Sequence, residues 1–331
     1  KGKNIKIDYE EIKKILEKLP FTLTNSQKKT LNEIFGDIQK DIFMSRLIQG
    51  DVGSGKTIVA GITALITNKN GYQVAFMAPT EILAKQHHKT ISKLFKEYEI
   101  KIELLLGGTP EKIKTEIKES LAAGKIDFII GTHSLIQENI KFKNLGLIII
   151  DEQHRFGVKQ RNALKEKGDC HLLSLSATPI PRTLAMTIYG DQDISIIDEL
   201  PPGRKPVITR IVGEEKRKDA YEWIKKQIQE GRQVFIICPL IDESDQLEAK
   251  SVLREYEYLK NEIFGDYTVN FLHGRLREEE KDEVMKKFSE NRINILVATS
   301  IIEVGIDIPN ATIMMIEGAE RFGLAQLHQF R

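Results

Sequence analysis

Two segments of the sequence carry residues that together could bind and cleave a nucleoside triphosphate. Residues 50–57 read GDVGSGKT, which has the form G-x-x-x-x-G-K-T. In such a loop the glycines let successive backbone N–H groups face a polyphosphate, the lysine reaches the terminal phosphates, and the final hydroxyl is a ligand for Mg²⁺. We therefore predict that ATP contacts Gly50, Asp51, Val52, Gly53, Ser54, Gly55, Lys56 and Thr57.

The second segment, residues 151–154, reads DEQH and follows an apolar run. Asp151 is placed to hold the same Mg²⁺ shell as Thr57, and Glu152 beside it to orient or deprotonate an attacking water. The predicted catalytic residues are Lys56, Asp151, Glu152 and His154. For His154 the alternative is an ordinary core histidine whose hydrogen bonds are satisfied.

The flanking sequence supports the phosphate loop. An apolar run at 44–48 precedes it and a helix-like run at 58–67 follows it, which is the strand–loop–helix context that the motif requires. A chance glycine-rich turn does not need that context. The chain is therefore predicted to bind a nucleoside triphosphate.

Apolar runs of strand length recur along the chain, with amphipathic helical patterns between them. The runs are continuous rather than alternating, which is typical of strands buried on both faces of a mostly parallel sheet. Predicted strands cover residues 46–49, 74–78, 102–106, 127–130, 147–150, 172–175, 207–211, 234–238, 268–272, 295–297 and 313–316. Predicted helices cover residues 82–98, 111–123, 216–230 and 278–288. This alternation predicts an α/β fold with helices on both faces of the sheets.

The segment 200–206 (LPPGRKP) interrupts the alternation. Three prolines and a glycine cannot continue a helix or a central strand, so we interpret it as a linker between two α/β domains, residues 21–203 and 204–331. A long surface loop within one domain is the alternative. Residues 1–20 contain a short amphipathic connecting helix. Because only the first half carries a phosphate loop, ATP is predicted to lie between the two domains.

Composition argues against a membrane protein and says little else about function. The 331 residues carry a net charge of +1, which argues neither for nor against nucleic acid. No apolar run approaches the roughly 20 residues that span a bilayer. Cys170 and Cys238 lie in apolar runs, as reduced thiols of a cytoplasmic protein do. His87 and His88 are adjacent, so on a helix they point in different directions and make a poor pair of metal ligands.

Further motifs occur in a recognisable order along nearly the whole chain. They read APTE (78–81), GTH (131–133), SAT (176–178), HGR (273–275) and ATSIIEVGID (298–307). With GDVGSGKT and DEQH they resemble a superfamily-2 helicase with two RecA-like domains. The longer strings DEQHRFGV, LSATPIPRTLAM, ELPPGRKPV and AERFGLAQLHQFR narrow the resemblance to the RecG family of bacterial branch-migration and fork-regression helicases.

The motor of the transcription-repair coupling factor is the close alternative. It shares the PIPRTL and RFG segments, but it more usually has a second Glu after Asp-Glu. Gln153 followed by His154 favours the RecG family.

The RecG resemblance implies an ATP-hydrolysing DNA helicase of the 3′–5′ class, with ATP and Mg²⁺ as cofactors. It implies branched duplex DNA as the partner, namely forks and Holliday junctions, in recombination and repair. It further implies a monomeric cytoplasmic protein associated with the bacterial nucleoid, and contact with a single-stranded DNA-binding protein in the full-length protein.

The same resemblance implies roles for residues outside the phosphate loop. Gln27 reads the adenine edge, since its amide can both donate and accept, and Phe21 stacks on the ring. The alternative for Gln27 is the third residue of a capping box begun by Thr24, and both roles can hold at once. In the second half, Gly305 and Asp307 lie near the ribose and the γ-phosphate.

Residues at predicted strand ends are the candidates for contact with DNA phosphates. Small hydroxyl residues and exposed N–H groups suit phosphate oxygens, and that edge of an α/β sheet is where ligands bind. Each of these residues, taken alone, is typical of an ordinary turn. Because they occur in the motif order of the family, the resemblance implies that they contact DNA. The predicted DNA contacts are Pro79, Thr80, Gly108, Thr132, His133, Arg275 and Thr299. Gln153, Ser176, Thr178 and Glu303 are predicted to couple hydrolysis to domain movement.

This sequence departs from the family pattern in its last motif. In the family the last motif runs Q-L-H-Q-L-R-G-R-V-G-R, and its later arginines reach the γ-phosphate; this sequence ends at Arg331, one residue into R-G-R-V-G-R. A second interpretation is therefore a nucleotide- and DNA-binding module with negligible turnover. Glu317 and Arg321 are expected to be structural.

Overall fold

The computed structural model describes residues 3–136, 140–152, 170–177, 192–201, 207–239, 253–274, 276–299 and 308–330. The chain forms two compact units, residues 1–205 (unit 1) and residues 206–331 (unit 2). Most of the predicted linker at 200–206 lies outside the described residues, so its conformation stays a prediction.

Unit 1 alternates strands and helices. Its strands are β1 (Ser45–Gly50), β2 (Gln73–Met77), β3 (Ile102–Leu105), β4 (Phe128–Gly131), β5 (Leu145–Ile150), β6 (His171–Ser176) and β7 (Asp193–Ile197). Its helices are α1 (Tyr9–Glu17), α2 (Asn25–Ile38), α3 (Lys56–Lys69), α4 (Glu81–Leu94) and α5 (Glu111–Ala122). A short 3₁₀ helix, His133–Ile136, follows β4.

The seven strands pair in the order β3-β4-β2-β5-β6-β1-β7, and the pairings are parallel. Parallel strands bring their carboxyl ends to one edge of the sheet. The segments that follow β1, β5 and β6 are therefore neighbours at this edge. The segments that follow β2, β3 and β4 continue the same edge to one side.

Both faces of this sheet are covered. The central strands β2, β4, β5 and β6 are buried along their whole length. Alternate residues of β2 enter different apolar clusters: Val74 and Phe76 pack with helix residues on one face, and Ala75 and Met77 pack on the other. Two-sided burial explains why the strands read as continuous apolar runs, and it confirms that sequence prediction.

Unit 2 has a smaller sheet of the same kind. Its strands β8 (Gln233–Cys238), β9 (Val269–Leu272), β10 (Ile295–Thr299) and β11 (Ala311–Ile316) pair in parallel in the order β11-β8-β10-β9. Its helices are α6 (Arg217–Gln229), α7 (Glu278–Ser289) and α8 (Leu324–Phe330). Residues 253–258 are helical and continue into a π-helix, Leu259–Ile263.

Two strand assignments from the sequence differ from the structure. The predicted strand at 207–211 is wrong: these residues form no strand, and Ile208 and Ile211 are 79% and 102% exposed. An apolar run becomes a strand only where a partner strand accepts its hydrogen bonds, and no described strand pairs with this one. The sequence also missed β7, an edge strand that is only partly buried. In the described part of the chain, no helix is long and apolar enough to cross a membrane.

Candidate active site

The phosphate loop runs from the end of β1 to the start of α3, as predicted. Gly53 and Gly55 have φ of 76° and 92°, in the left-handed region that side chains strongly disfavour. A Cβ at Gly55 would collide with the Gln27 amide nitrogen, and one at Gly50 would lie 2.7 Å from the carbonyl oxygen of Ile197. The loop therefore needs glycine at these positions to wrap tightly.

Lys56 and Ser54 supply the polar side chains inside the loop. The Lys56 ammonium is buried and donates to the carbonyl oxygens of Gly50 at 2.7 Å and Asp51 at 3.0 Å. The Ser54 hydroxyl is buried, and within the described residues it has no hydrogen-bond partner. An orphaned hydroxyl in a buried loop is costly unless a ligand satisfies it. A phosphate oxygen, the ligand predicted for this loop, would be an acceptor for it.

Asp151 and Glu152 lie at the carboxyl end of β5, between β2 and β6 in the sheet. The Asp151 N–H donates to the Met77 carbonyl at 2.8 Å, which fixes the backbone there. Burial would raise the pKa of Asp151, but the hydrogen bond from His87 and the charge of Lys56 outweigh it, so this pKa lies below its ordinary value. Asp151 is therefore an ionised carboxylate within the electrostatic reach of the phosphate loop.

Glu152 has an unusual backbone conformation. Its φ is 48°, in the left-handed region that a non-glycine residue seldom adopts, and such strain is concentrated at functional sites. Its carboxylate accepts a hydrogen bond from the Ala177 N–H at 3.3 Å, at the end of β6. The strained turn holds Glu152 in a buried position at the same sheet edge as the phosphate loop.

These residues fit a Mg²⁺–nucleotide. The Thr57 hydroxyl and the Asp151 carboxylate are hard oxygen donors of the kind that Mg²⁺ selects. The phosphate loop follows β1 and Asp151 follows β5, so both sides of the predicted metal site lie at the same edge of the sheet. The buried Ser54 hydroxyl is a further polar group that a phosphate oxygen would satisfy, and a side chain at Gly50 or Gly55 would collide with its neighbours.

Gln27 is the third residue of α2 and completes a capping box with Thr24, as predicted. Its Oε1 accepts from the Thr24 N–H at 2.9 Å, and its Nε2 donates to the Ser54 carbonyl at 2.7 Å. The amide thus joins α2 to the phosphate loop and is only 4% exposed. Phe21 is 43% exposed in the segment before α2. Their adenine contacts stay predictions.

A cavity of about 260 Å³ lies beside the loop, and sequence reasoning missed one of its walls. It is lined by Gln49, Gly50, Asp51, Ser54, Ala177 and residues 196–200. Ser26 of α2 donates to the Asp198 carboxylate at 2.9 Å, so α2 is anchored to the end of β7. The edge strand β7 and the residues after it therefore form one wall of the cavity beside the phosphate loop.

The predicted DNA contacts of unit 1 lie at the carboxyl ends of β2, β3 and β4. Thr80 is the N-cap of α4, and Gly108 is exposed, with its N–H 3.3 Å from the Glu81 carboxylate. Pro79 is half-buried, Thr132 is buried, and His133 begins the 3₁₀ helix. The sheet brings all five to one stretch of the edge, next to Asp151 and Glu152 at the end of β5. Their contact with DNA stays a prediction.

In unit 2, Thr299 is fully buried at the end of β10, and its hydroxyl has no hydrogen-bond partner within the described residues. Ser176, in unit 1, is buried at the end of β6. The predicted roles of Gln153, His154, Thr178, Arg275, Glu303, Gly305 and Asp307 fall outside the described residues.

The sequence motifs, the phosphate loop and the parallel sheets are matched by known proteins. Residues 24–187 match the family model DEAD/DEAH box helicase, and residues 215–331 match the helicase conserved C-terminal domain. The chain is 51% identical over 327 residues to the ATP-dependent DNA helicase RecG of Thermotoga maritima, covering 98% of this chain and 42% of that protein. The same-named protein of Bacillus subtilis is 48% identical over 323 residues, covering 97% and 47%. The chain belongs to the RecG family.

Solved structures agree with this family. The structure of RecG bound to a three-way DNA junction matches with a TM-score of 0.82 and 46% identity, over 99% of this chain and 43% of that one. Saccharomyces cerevisiae Dbp5 bound to RNA and ADP BeF3 matches with a TM-score of 0.65 at 19% identity, over 99% and 85%, which shows the fold alone. The predicted pair of RecA-like α/β domains is confirmed. The chain spans less than half the length of these RecG relatives.

At the sheet edge of unit 2, Glu317 takes part in a group of side-chain contacts; that its role is structural stays a prediction. Arg217 donates to Glu317 at 2.6 Å and to the Tyr221 hydroxyl at 2.7 Å, which joins α6 to the end of β11. Glu255 lies close by, 3.7 Å from the Arg217 guanidinium, and its Oε1 is buried without a hydrogen bond in the described structure. Burial, and then the charge of Glu317, raise the pKa of Glu255, and Arg217 offsets only part of this.

Glu255→Gln is expected to raise the thermal stability of the chain at neutral pH by about 1–3 °C. Because the folded-state pKa is raised, the contribution of Glu255 to stability is present below its unfolded pKa and is lost as pH rises through the folded value. The neutral amide of glutamine does not lose this stability as the pH rises. The melting temperatures of the variant and the wild type are compared at pH 7 and at pH 4, and the higher melting temperature of the variant should disappear at pH 4. The control is Glu257→Gln, an exposed carboxylate on the same helical segment. A lower melting temperature at pH 7 would contradict the argument.

Proposed function

We propose that this chain is the ATP-driven motor of a DNA helicase that remodels branched DNA by branch migration and fork regression. The observation that carries the proposal is the single sheet edge of unit 1. There Asp151 and Glu152, at the end of β5, lie next to the candidate DNA contacts at the ends of β2, β3 and β4, and the phosphate loop at the end of β1 lies further along the same edge, beyond β6. The identity with RecG proteins from several bacteria supports the same conclusion.

Each residue of the ATP site has a role that follows from its position. Lys56 stabilises charge on the β- and γ-phosphates, and the loop N–H groups bind phosphate oxygens. Thr57 and Asp151 would hold Mg²⁺, which neutralises phosphate charge when it is bound. Glu152, held by its hydrogen bond from Ala177, orients and deprotonates the attacking water. Water attack on the γ-phosphate releases inorganic phosphate and leaves ADP.

On the DNA side, Thr80, Gly108 and Thr132 bind phosphate oxygens of one strand without reading sequence. Arg275 and Thr299 of unit 2 contribute further contacts, and Glu303, Gly305 and Asp307 contribute to the nucleotide. Opening and closing of two such domains converts hydrolysis into movement along DNA. Branched DNA is the substrate class because the similar RecG structure is bound to a three-way junction. The monomeric state, the nucleoid location and the contact with a single-stranded DNA-binding protein stay predictions.

The test is phosphate release by the full-length protein with a three-way junction, with linear duplex of equal length, and without DNA. We expect at least about tenfold stimulation by the junction, less by linear duplex, and a steep decrease with salt, since phosphate contacts are screened. Equal rates with and without DNA would contradict the motor proposal. Such a result would favour the alternative that this chain is a nucleotide-binding module with negligible turnover.

The DNA face is tested by Gly108→Asp. A Cβ at Gly108 meets nothing within 4 Å, so the substitution fits, and its carboxylate would oppose DNA phosphates. We expect the dissociation constant for the junction to rise about tenfold at low salt. The matched control is Gly36→Asp, which adds the same charge at an equally open, exposed position of α2. Equal effects of the two variants would argue against DNA at the β3–β4–β2 edge.

A further inference from the structure

His87 makes a contact that sequence analysis did not anticipate. It lies on α4, is 5% exposed, and its Nε2 is 2.7 Å from Oδ2 of Asp151. An ionised carboxylate only accepts hydrogen bonds, so Nε2 carries the proton in this pair. The second oxygen of Asp151, Oδ1, accepts from the Glu152 N–H at 3.0 Å. Both carboxylate oxygens are therefore oriented by the protein, and each keeps a lone pair for another partner.

The imidazole ring is itself held in place. It stacks on Phe76 of β2 with ring centroids 4.6 Å apart and an interplanar angle of 25°. β2 pairs directly with β5, whose end carries Asp151, and the Met77 carbonyl accepts the Asp151 N–H. The donor and the acceptor are thus anchored to neighbouring strands. Hydrogen-bonding partners of a metal ligand that are fixed in this way set its orientation and strengthen metal binding.

The position of His87 on α4 adds a second consequence. The helix begins directly after Pro79 and Thr80, the candidate DNA contacts that follow β2. His87 lies about two helical turns further along the same helix. One rigid element therefore carries both a candidate DNA contact and the partner of Asp151.

We propose that His87 is a positioning residue for ATP hydrolysis, whose Nε2–H fixes the Asp151 carboxylate in the orientation that holds the Mg²⁺–nucleotide. The inference rests on the proposed function, since it assigns a new residue to the same site. His87 acts only through Asp151.

The experiment compares His87→Leu, His87→Asn and His87→Gln in the full-length protein. Leu removes the donor and keeps an apolar side chain against Phe76. Asn keeps an amide, but it ends near the position of Nδ1 and does not reach Asp151. Gln places an amide N–H near the position of Nε2. The matched control is His88→Leu on the adjacent residue, whose Nε2 faces the Ile102 carbonyl at 3.4 Å.

Two quantities are measured against free Mg²⁺: the affinity for a fluorescent ATP analogue, and the rate of DNA-stimulated phosphate release. For the Leu and Asn variants we expect the half-saturating Mg²⁺ concentration to rise about tenfold or more in both, with nucleotide affinity in EDTA unchanged. The half-saturating Mg²⁺ concentration of the His87→Gln variant should stay within about threefold of the wild-type value. That of His88→Leu should equal the wild-type value. The Asn variant keeps the test available if the Leu variant does not fold.

Wild-type Mg²⁺ dependence in the Leu and Asn variants would overturn the inference. A Gln variant as impaired as the Leu variant would also overturn it, because the ring and not the N–H would then matter. A wild-type protein without DNA-stimulated phosphate release would contradict the proposed function instead. The Mg²⁺ dependence of nucleotide binding would still decide the role of His87.

Discussion

Glu152→Gln is expected to reduce DNA-stimulated ATP turnover of the full-length protein by about 10²- to 10⁴-fold, the usual contribution of a positioned general base. The amide keeps the size of the side chain, and its oxygen can still accept from the Ala177 N–H. The strained backbone at Glu152 and the neighbouring Asp151 should therefore be unaffected. What is lost is the negative charge and basicity that act on the attacking water.

ATP affinity of the Glu152→Gln protein should remain within about threefold of the wild type, because Glu152 acts on the water and the phosphate loop holds the nucleotide. Equilibrium binding of a fluorescent ATP analogue and phosphate release measure the two effects separately. Glu116→Gln, an exposed carboxylate on α5, serves as the matched control. Unchanged turnover would remove Glu152 from the mechanism, and a parallel loss of binding would give it a structural role.

Lys56→Ala is expected to weaken ATP binding by about 10- to 100-fold and to lower turnover by about 10²-fold or more. The ammonium is buried in the phosphate loop and donates to the Gly50 and Asp51 carbonyls. It is therefore already held at the site where the β- and γ-phosphates are proposed to bind. Its removal takes away a charge-assisted hydrogen bond to phosphate and the positive charge that lowers the pKa of Asp151.

The matched control for Lys56→Ala is Lys69→Ala, in the last turn of the same helix α3. Lys69 forms an ion pair with Glu11 at 2.6 Å and is partly exposed, so its loss should cost little and leave ATP binding unchanged. Circular dichroism and thermal unfolding check that both variants fold. If Lys56→Ala binds ATP as tightly as Lys69→Ala, the loop at 50–57 is not the nucleotide site.

Much of the fold was predictable because the central strands are buried on both faces. Runs such as Leu147–Ile150 are apolar at every position, and continuous runs of this kind have few other places in a soluble protein. The phosphate loop was predictable for a different reason. Its function depends on glycines and on one lysine at fixed spacing, and spacing along the chain is what a sequence displays.

The sequence predictions of strands were wrong where the formation of a strand depends on pairing with neighbouring strands. β7 sits at the sheet edge and mixes polar with apolar residues, so its sequence resembles a loop. Residues 207–211 have the opposite property, since they look like a strand but have no strand partner in the described structure. Pairing is a tertiary property, and the intrinsic preference of a strand is weak without it.

His87 shows the same limit at the level of a single side chain. The buried face of α4 contains Leu83, Ala84, His87 and Ile91, so a histidine on an apolar helix face was visible in the sequence. Its partner was not visible, because Asp151 lies 64 positions further along the chain. Only the pairing of β2 with β5 brings the two together.

The sequence by itself determined which chemistry to propose: it displays a loop of the phosphate-binding form, an acidic pair predicted to act on metal and water, and helicase motifs in RecG order. These depend on residue types at fixed local spacing. The tertiary structure decided how these segments are arranged along one edge of a parallel sheet. It placed the candidate DNA contacts next to Asp151 and Glu152, anchored α2 to β7, and brought His87 into contact with Asp151, because strand order and not chain order sets which residues meet.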